Sequence, residues 1–177
     1  MKRPRLSETD VVEISKQLPG LEHWSWETES RVKLEERDGR YVWIAQAGLH
    51  IDGIVHLMVD DATGRPLRAW VPSRGFRGGS FWLDSGQPES WREYESILGK
   101  LSSDRRPRMG IGAVLAAARE AAIANQLPWE EPVCLSFYHG DVWHVITRAF
   151  GKADNVEIEV RDLGLSIGKV ARAGEIT

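Results

Sequence analysis

Three residues of one parity, His50, Asp52 and His56, are the chain's nearest approach to a metal site. Imidazole and carboxylate suit zinc or iron, and alternate positions on a continuous strand point the same way. Asp52-Gly53, however, reads as a turn that breaks the parity. His56 also falls on the face of its strand opposite Val55, Leu57 and Val59. No further ligand can be named, and no metal is expected. A second constellation is Cys134, Ser136 and His144. If a hairpin is centred on Gly140, Ser136 lies opposite His144 and Cys134 opposite Ile146. Cys134 and His144 are then diagonal neighbours on one sheet face, within side-chain reach. A thiolate–imidazole nucleophile also needs a group to orient the histidine and an oxyanion site, and neither is visible. A lone cysteine in a strand is ordinarily a small buried hydrophobe.

Arg74-Gly-Phe76-Arg77-Gly-Gly is a single copy of an arginine-glycine pattern, with Phe76 available to stack on a base. Its flanks are acidic and supply no basic groove, so nucleic acid is not the expected partner. Arg105, Arg106 and Arg108 read as a solvated connection between helices. The acidic pairs Glu35-Glu36, Asp60-Asp61 and Glu130-Glu131 are adjacent in sequence, so in a strand they point to opposite faces and make poor acid/base pairs. The phosphate loop G-x-x-x-x-G-K-[ST], the nucleophile elbow G-x-S-x-G and the zinc helix H-E-x-x-H are all missing. No cofactor is expected.

The elements that would position these residues follow from periodicity. Ser7-Glu-Thr-Asp10 is a capping box opening a helix with an apolar stripe at Val11, Val12, Ile14 and Leu18, ended by Pro19-Gly20. Arg31–Glu36 alternates as a strand, Asp38-Gly39 is a hairpin turn, and strands follow at Tyr41–Ala47, Gly53–Asp60 and Pro66–Val71. Residues 72–87, rich in glycine and serine, read as a linker or mobile loop. Ser90-Trp-Arg-Glu93 is a second capping box, starting a middle helix to about Leu101 with one apolar face. Gly112–Gln126 is the strongest helix, its alanines losing no side-chain entropy on ordering. Strands at Val133–Tyr138, Val142–Ala149, Asn155–Val160 and Ser166–Ala173 complete the chain.

Two stretches correspond, Gly39–Pro72 and Gly140–Gly174. Val32 to Trp43 is 11 positions and Val133 to Trp143 is 10; Trp43 to Val59 is 16 and Trp143 to Val160 is 17. The fold expected is therefore α+β: two similar halves, each a helix followed by an antiparallel meander of three to four strands, with an extra middle helix. The boundaries are 1–72, 73–110 and 111–177. The helix-then-strands order and the turn Val59-Asp-Asp-Ala-Thr-Gly64 resemble the PepSY-like and cystatin-like group of small α+β domains. The resemblance covers about residues 7–72 and 112–174, and the second copy, VRDLGLSIGKV, lacks the Asp-x-x-Thr-Gly form. It implies a binding or inhibitory module and carries over no site residue.

Composition bounds the rest. At 177 residues and net charge -3, with 42% hydrophobic and 28% charged residues, the chain is an ordinary soluble composition with no pull towards nucleic acid or anionic membrane. One cysteine excludes an intrachain disulfide, and the basic N-terminus is followed by no apolar run, so the expected location is the bacterial cytoplasm, with no membrane contact. The apolar outer face of the second half, with Cys134, Val142 and Ile146, should meet the other half, a second subunit or a ligand. The functional expectation is a non-catalytic protein-binding module with the profile of a bacterial immunity protein, which neutralises a toxin by covering it; a homo-oligomer is also compatible. Its recognition surface is expected at Trp24, Trp26, Arg74, Phe76, Arg77 and Trp82, since arginine and aromatic residues anchor interfaces. The alternative is a small metal- or ligand-binding enzyme with a site between the halves, using His50, Asp52 and His56 or Cys134 and His144.

Overall fold

The computed structural model describes residues 3–18, 21, 24–26, 30–49, 53–70, 79–84, 88–138, 141–147 and 155–172. Among them lie nine strands and three helices, in two compact units, Met1–Arg74 and Gly75–Thr177. The architecture is predominantly β and antiparallel. This corrects the expectation of two similar helix-plus-meander halves with a separate middle helix. A strand lies within the stretch read as a linker, and the middle helix is part of the second unit's core.

The first unit begins with α1 (Glu8–Lys16). The Asp10 amide donates to Ser7 Oγ at 3.2 Å and the Ser7 amide donates to the Asp10 carboxylate at 2.8 Å, so both members of the capping box are engaged. α1 packs on β1 (Arg31–Arg37) and β2 (Arg40–Leu49). The two-residue turn between these strands holds Asp38 at φ 50° and Gly39 at φ 76°, the paired positive values that a twisted hairpin favours. β3 (Gly53–Asp60) and β4 (Pro66–Trp70) follow in chain order, each antiparallel to its predecessor. One alternation of β2 and β3 buries Trp43, Ala45, Ala47, Val55, Leu57 and Val59. The other buries Val42, Ile44 and Met58, which cluster with Leu67.

The second unit begins with β5 (Ser80–Leu83), antiparallel to β6 (Val133–Tyr138). Between them come α2 (Pro88–Gly99) and α3 (Ile111–Ala124). Proline suits a first helical turn, where its missing N–H has no partner to lose, and α2 accordingly starts at Pro88 rather than at Ser90. Tyr94 ties α2 into the core: its ring stacks on Phe81 at 4.1 Å and meets Trp143 edge-on at 6.3 Å. On α3 the buried positions Ile111, Val114, Ala118, Ala121 and Ala122 fall on one helical face. That face covers β7 (Val142–Thr147), β8 (Val156–Arg161) and β9 (Ile167–Arg172), a meander in chain order.

The correspondence seen in the sequence survives locally, as one hydrogen-bonded clasp present in each unit. Buried Asp61, just past β3, accepts from the Trp43 indole at 2.7 Å and from the amides of Arg5 and Leu6 at 2.8 and 3.0 Å. Buried Asp162, just past β8, accepts from the Trp143 indole at 2.9 Å and from the amides of Arg108 and Met109 at 2.6 and 3.0 Å. Each carboxylate thus fastens the residues before a helix to the end of a strand and to a core indole. Burial by itself would raise the Asp61 pKa. The amides of Arg5 and Leu6, the Trp43 indole and the Arg5 charge outweigh it and hold the carboxyl below its ordinary value.

Asp61→Ala removes the acceptor for the buried Trp43 indole, which costs about 1–3 kcal/mol when left unsatisfied, and for the amides of Arg5 and Leu6, which lie near the surface and can turn to water. The expected loss is about 1–3 kcal/mol by urea denaturation, with Asp61→Asn costing less because one acceptor oxygen remains. A depressed carboxyl pKa contributes stability that is present above the unfolded value of about 3.9 and lost as pH falls through the folded one. The wild-type chain should therefore lose urea resistance steeply below about pH 4, and Asp61→Asn should lose less over that range.

Candidate functional site

The expected recognition residues that the structure describes differ in burial. Trp26 is 1% exposed and its indole donates to the Leu21 carbonyl at 2.7 Å, and Trp82 is 1% exposed on β5 opposite Cys134. Both serve the interior, Trp26 with its indole N–H satisfied by a backbone carbonyl and Trp82 within the apolar run Phe81-Trp82-Leu83. Trp24 is half-buried, and Arg74, Phe76 and Arg77 lie outside the described residues. So do His50 and Asp52, leaving His56 as the described member of that trio. Among the described residues no group of three or more histidine, cysteine or acidic side chains could hold a metal ion.

The second constellation has the register that its spacing implies. Cys134 pairs with Ile146, and Ser136 with His144. The same row continues across the unit as Ser80, Ser136, His144, Glu159 and Lys169. Ser80 and Ser136 share a hydroxyl–hydroxyl bond of 2.7 Å, His144 Nε2 lies 3.9 Å from Glu159 Oε1, and the His144 ring lies 4.6 Å from that of Tyr138. Burial pushes the Cys134 thiol up to about 12, against smaller opposing hydrogen bonds to Ser136 and Ser80. Such a thiol is not a nucleophile at neutral pH.

The first unit carries an array that the sequence did not disclose. His56 pairs with Trp70 across β3 and β4, and their rings stack at 5.0 Å and 14°. The Arg68 guanidinium lies 4.6 Å over the same indole. On the other side Gln46 on β2 bonds His56 Nδ1 at 3.1 Å. Trp70 packs against the buried cluster of Val42, Ile44, Met58 and Leu67 and is itself half-buried. The result is a cation, an indole and an imidazole held face to face on a rigid apolar floor. Burial, with a smaller contribution from the Lys33 charge, lowers the His56 pKa, so the array carries a neutral imidazole near pH 7.

No family model matches this chain, and no curated protein matches it. A crystal structure of a "putative lipoprotein" from Clostridium difficile 630 aligns with 97% of this chain and 95% of its own, at 16% identity and a TM-score of 0.30. A likeness of that degree carries no argument about fold or function. Among the described residues no helix is long and apolar enough to cross a membrane.

Two outcomes follow from these environments. Folded protein at pH 8 should leave Cys134 unmodified by a thiol reagent over hours, with full and rapid reaction once urea is added. For His56, a folded pKa below the unfolded value of about 6.5 means stability present above that value and lost as pH falls through it. Urea resistance should therefore drop between about pH 7.5 and pH 5, and His56→Phe, which keeps the stack on Trp70, should flatten that step.

Proposed function

We propose that this chain is a non-catalytic binding module that recognises another protein, in the manner of an immunity-type inhibitor, through the array built on Trp70. The observation that carries this reading is the half-buried indole that both stacks on His56 and lies under the Arg68 guanidinium. Tryptophan and arginine dominate the energetics of protein interfaces, above all where their rotamers are already fixed and less entropy is lost on binding. Here both are fixed, by the stack on His56 and by the cation–π contact between Arg68 and the indole. The resemblance of the sequence to PepSY-like and cystatin-like modules supports the same class of function. The role of the other polar groups is consistent with it: Asp61 and Asp162 are saturated by structural donors, and the Cys134 thiol is buried and protonated.

The test is native mass spectrometry of protein purified from its own host, followed by affinity measurement on the partner it retains. Trp70→Ala and Arg68→Ala should each weaken that partner by a factor of about 30 or more, the scale of an interface anchor, while urea midpoints show the chain still folded. A retained partner whose affinity is unchanged in both folded variants would remove Trp70 from the interface. A chain that carries a small molecule or metal in place of a protein would end the binding-module reading.

A further inference from the structure

One cross-strand row of the first unit runs Arg31, Gln46, His56 and Trp70, from β1 to β4. The Gln46 side-chain nitrogen, which can only donate, meets His56 Nδ1 at 3.1 Å. A neutral imidazole that accepts at Nδ1 carries its proton on Nε2, and that N–H makes no hydrogen bond among the described residues. Lys33, two positions along β1 from Arg31, is close enough for its charge to act on His56. Lys33 Nζ and Arg37 Nη2 both lie against the one carboxylate of Glu35, at 2.5 and 2.7 Å, so these side chains share a face. By strand alternation Arg31 shares it too. Along β1 that face carries three exposed cations, Arg31, Lys33 and Arg37, to one carboxylate. The helix α1 lies on the opposite, Trp43 side of the sheet, where Asp61 fastens its approach, and it carries Glu8, Asp10 and Glu13 against Lys16. Charge is therefore segregated: a chain of net charge -3 presents a positive face beside His56 and Trp70.

We infer that the protein recognised at Trp70 is acidic where it docks, setting aspartate or glutamate side chains against the His56 Nε2–H and the cations of β1. This rests on the reading of Trp70 as an interface anchor and adds the chemistry of the partner. Reach decides that the two features act together. Neighbouring strands lie about 4.8 Å apart, so Arg31 stands about 14 Å from Trp70 along the row. An interface of ordinary size covers about 800 Å² of each partner, roughly 30 Å across, so a protein seated on Trp70 covers the β1 row as well. A carboxylate within that footprint meets three cations whose only shared counterion is Glu35, whereas a basic partner is repelled. The row is too short, and too interrupted by Glu35, to serve as the continuous basic track that a phosphate backbone needs.

Calorimetric titration of the full chain with a random glutamate–tyrosine copolymer tests it, with a lysine–tyrosine copolymer and a short oligothymidylate as counter-probes. The acidic copolymer should bind at about 50 mM NaCl and weaken tenfold or more at about 500 mM, where exposed charges are screened within a few ångströms. Arg31→Glu should weaken it at least tenfold. So should His56→Phe, which keeps the stack on Trp70 and removes the N–H. Arg119→Glu, the same change of net charge at an exposed position on α3, should leave the affinity unchanged. Urea midpoints identify the variants that remain folded. Failure of the acidic copolymer to bind overturns the inference. So does tighter binding of the basic copolymer or the oligothymidylate, or an equal loss in Arg119→Glu. The reading of Trp70 is scored separately, on the protein partner: a partner weakened by Trp70→Ala but indifferent to Arg31→Glu keeps the anchor and ends the acidic inference alone.

Discussion

A buried carboxylate that accepts from an indole and two backbone amides organises each unit. An ionised acid removed from water is costly unless its lone pairs are filled, and these are filled by two backbone amides and by an indole that would itself be orphaned without it. The arrangement is reciprocal. Arg5 and Leu6 precede α1, where amides have no helical partner, and Arg108 and Met109 stand in the same relation to α3. Asp61 and Asp162 therefore satisfy the approach to a helix, the edge of a core tryptophan and the turn after a strand together. Once that knot is tied, the helix has one place to lie on the sheet. The inward rows, Trp43 to Val59 in one unit and Trp143 to Val160 in the other, are covered as a consequence.

The units part company beyond the knot, and the Trp70 array lies where they do. On the first unit a row of the sheet is Gln46, His56 and Trp70, joined by a hydrogen bond and a stack. On the second unit the row across β5 to β9 is hydroxyl, hydroxyl, imidazole, carboxylate and ammonium. The first unit's sheet thus presents an aromatic-cationic row and the second unit's a hydrogen-bonding one. The tryptophans divide accordingly. Trp26, Trp43, Trp82 and Trp143 are buried, while Trp24, Trp70, Trp91 and Trp129 are half-buried, with part of the indole left at the surface.

Much of the local structure was legible in the amino-acid order. Asp38-Gly39 announced its hairpin because few other pairs accept two positive φ values, and Ser7 with Asp10 announced the first helix. The Ser136–His144 pairing followed from counting outward from the turn at Gly140. Three features resisted. The strand β5 is four residues long in a setting of glycine and serine, so composition averaged over the stretch concealed Phe81, Trp82 and Leu83. The start of α2 was set by Pro88, whose fixed φ outweighed the capping potential of Ser90. The Trp70 array was hidden by a β-bulge: Val59 pairs with Pro66, yet Met58 pairs with Arg68. Counting around the turn without that extra residue sets His56 opposite Ala69 and sends Trp70 to the wrong face, since a one-residue slip reverses every side chain. Function was harder still, because it rests on side chains brought together across strands and not on any contiguous motif.

The clasp also has a bearing on how the protein is made. Its amide donors lie 55 and 56 residues from their acceptor in the first unit, and 53 and 54 in the second. At a synthesis rate of about 5–20 residues per second, the residues before α1 wait a few seconds for Asp61 to leave the ribosome. Until then the Trp43 indole has no carboxylate, and the inner faces of β1 and β2 have no settled helix over them. The nascent first unit therefore passes through a period with its apolar hairpin open, and that is when a chaperone would have most to bind.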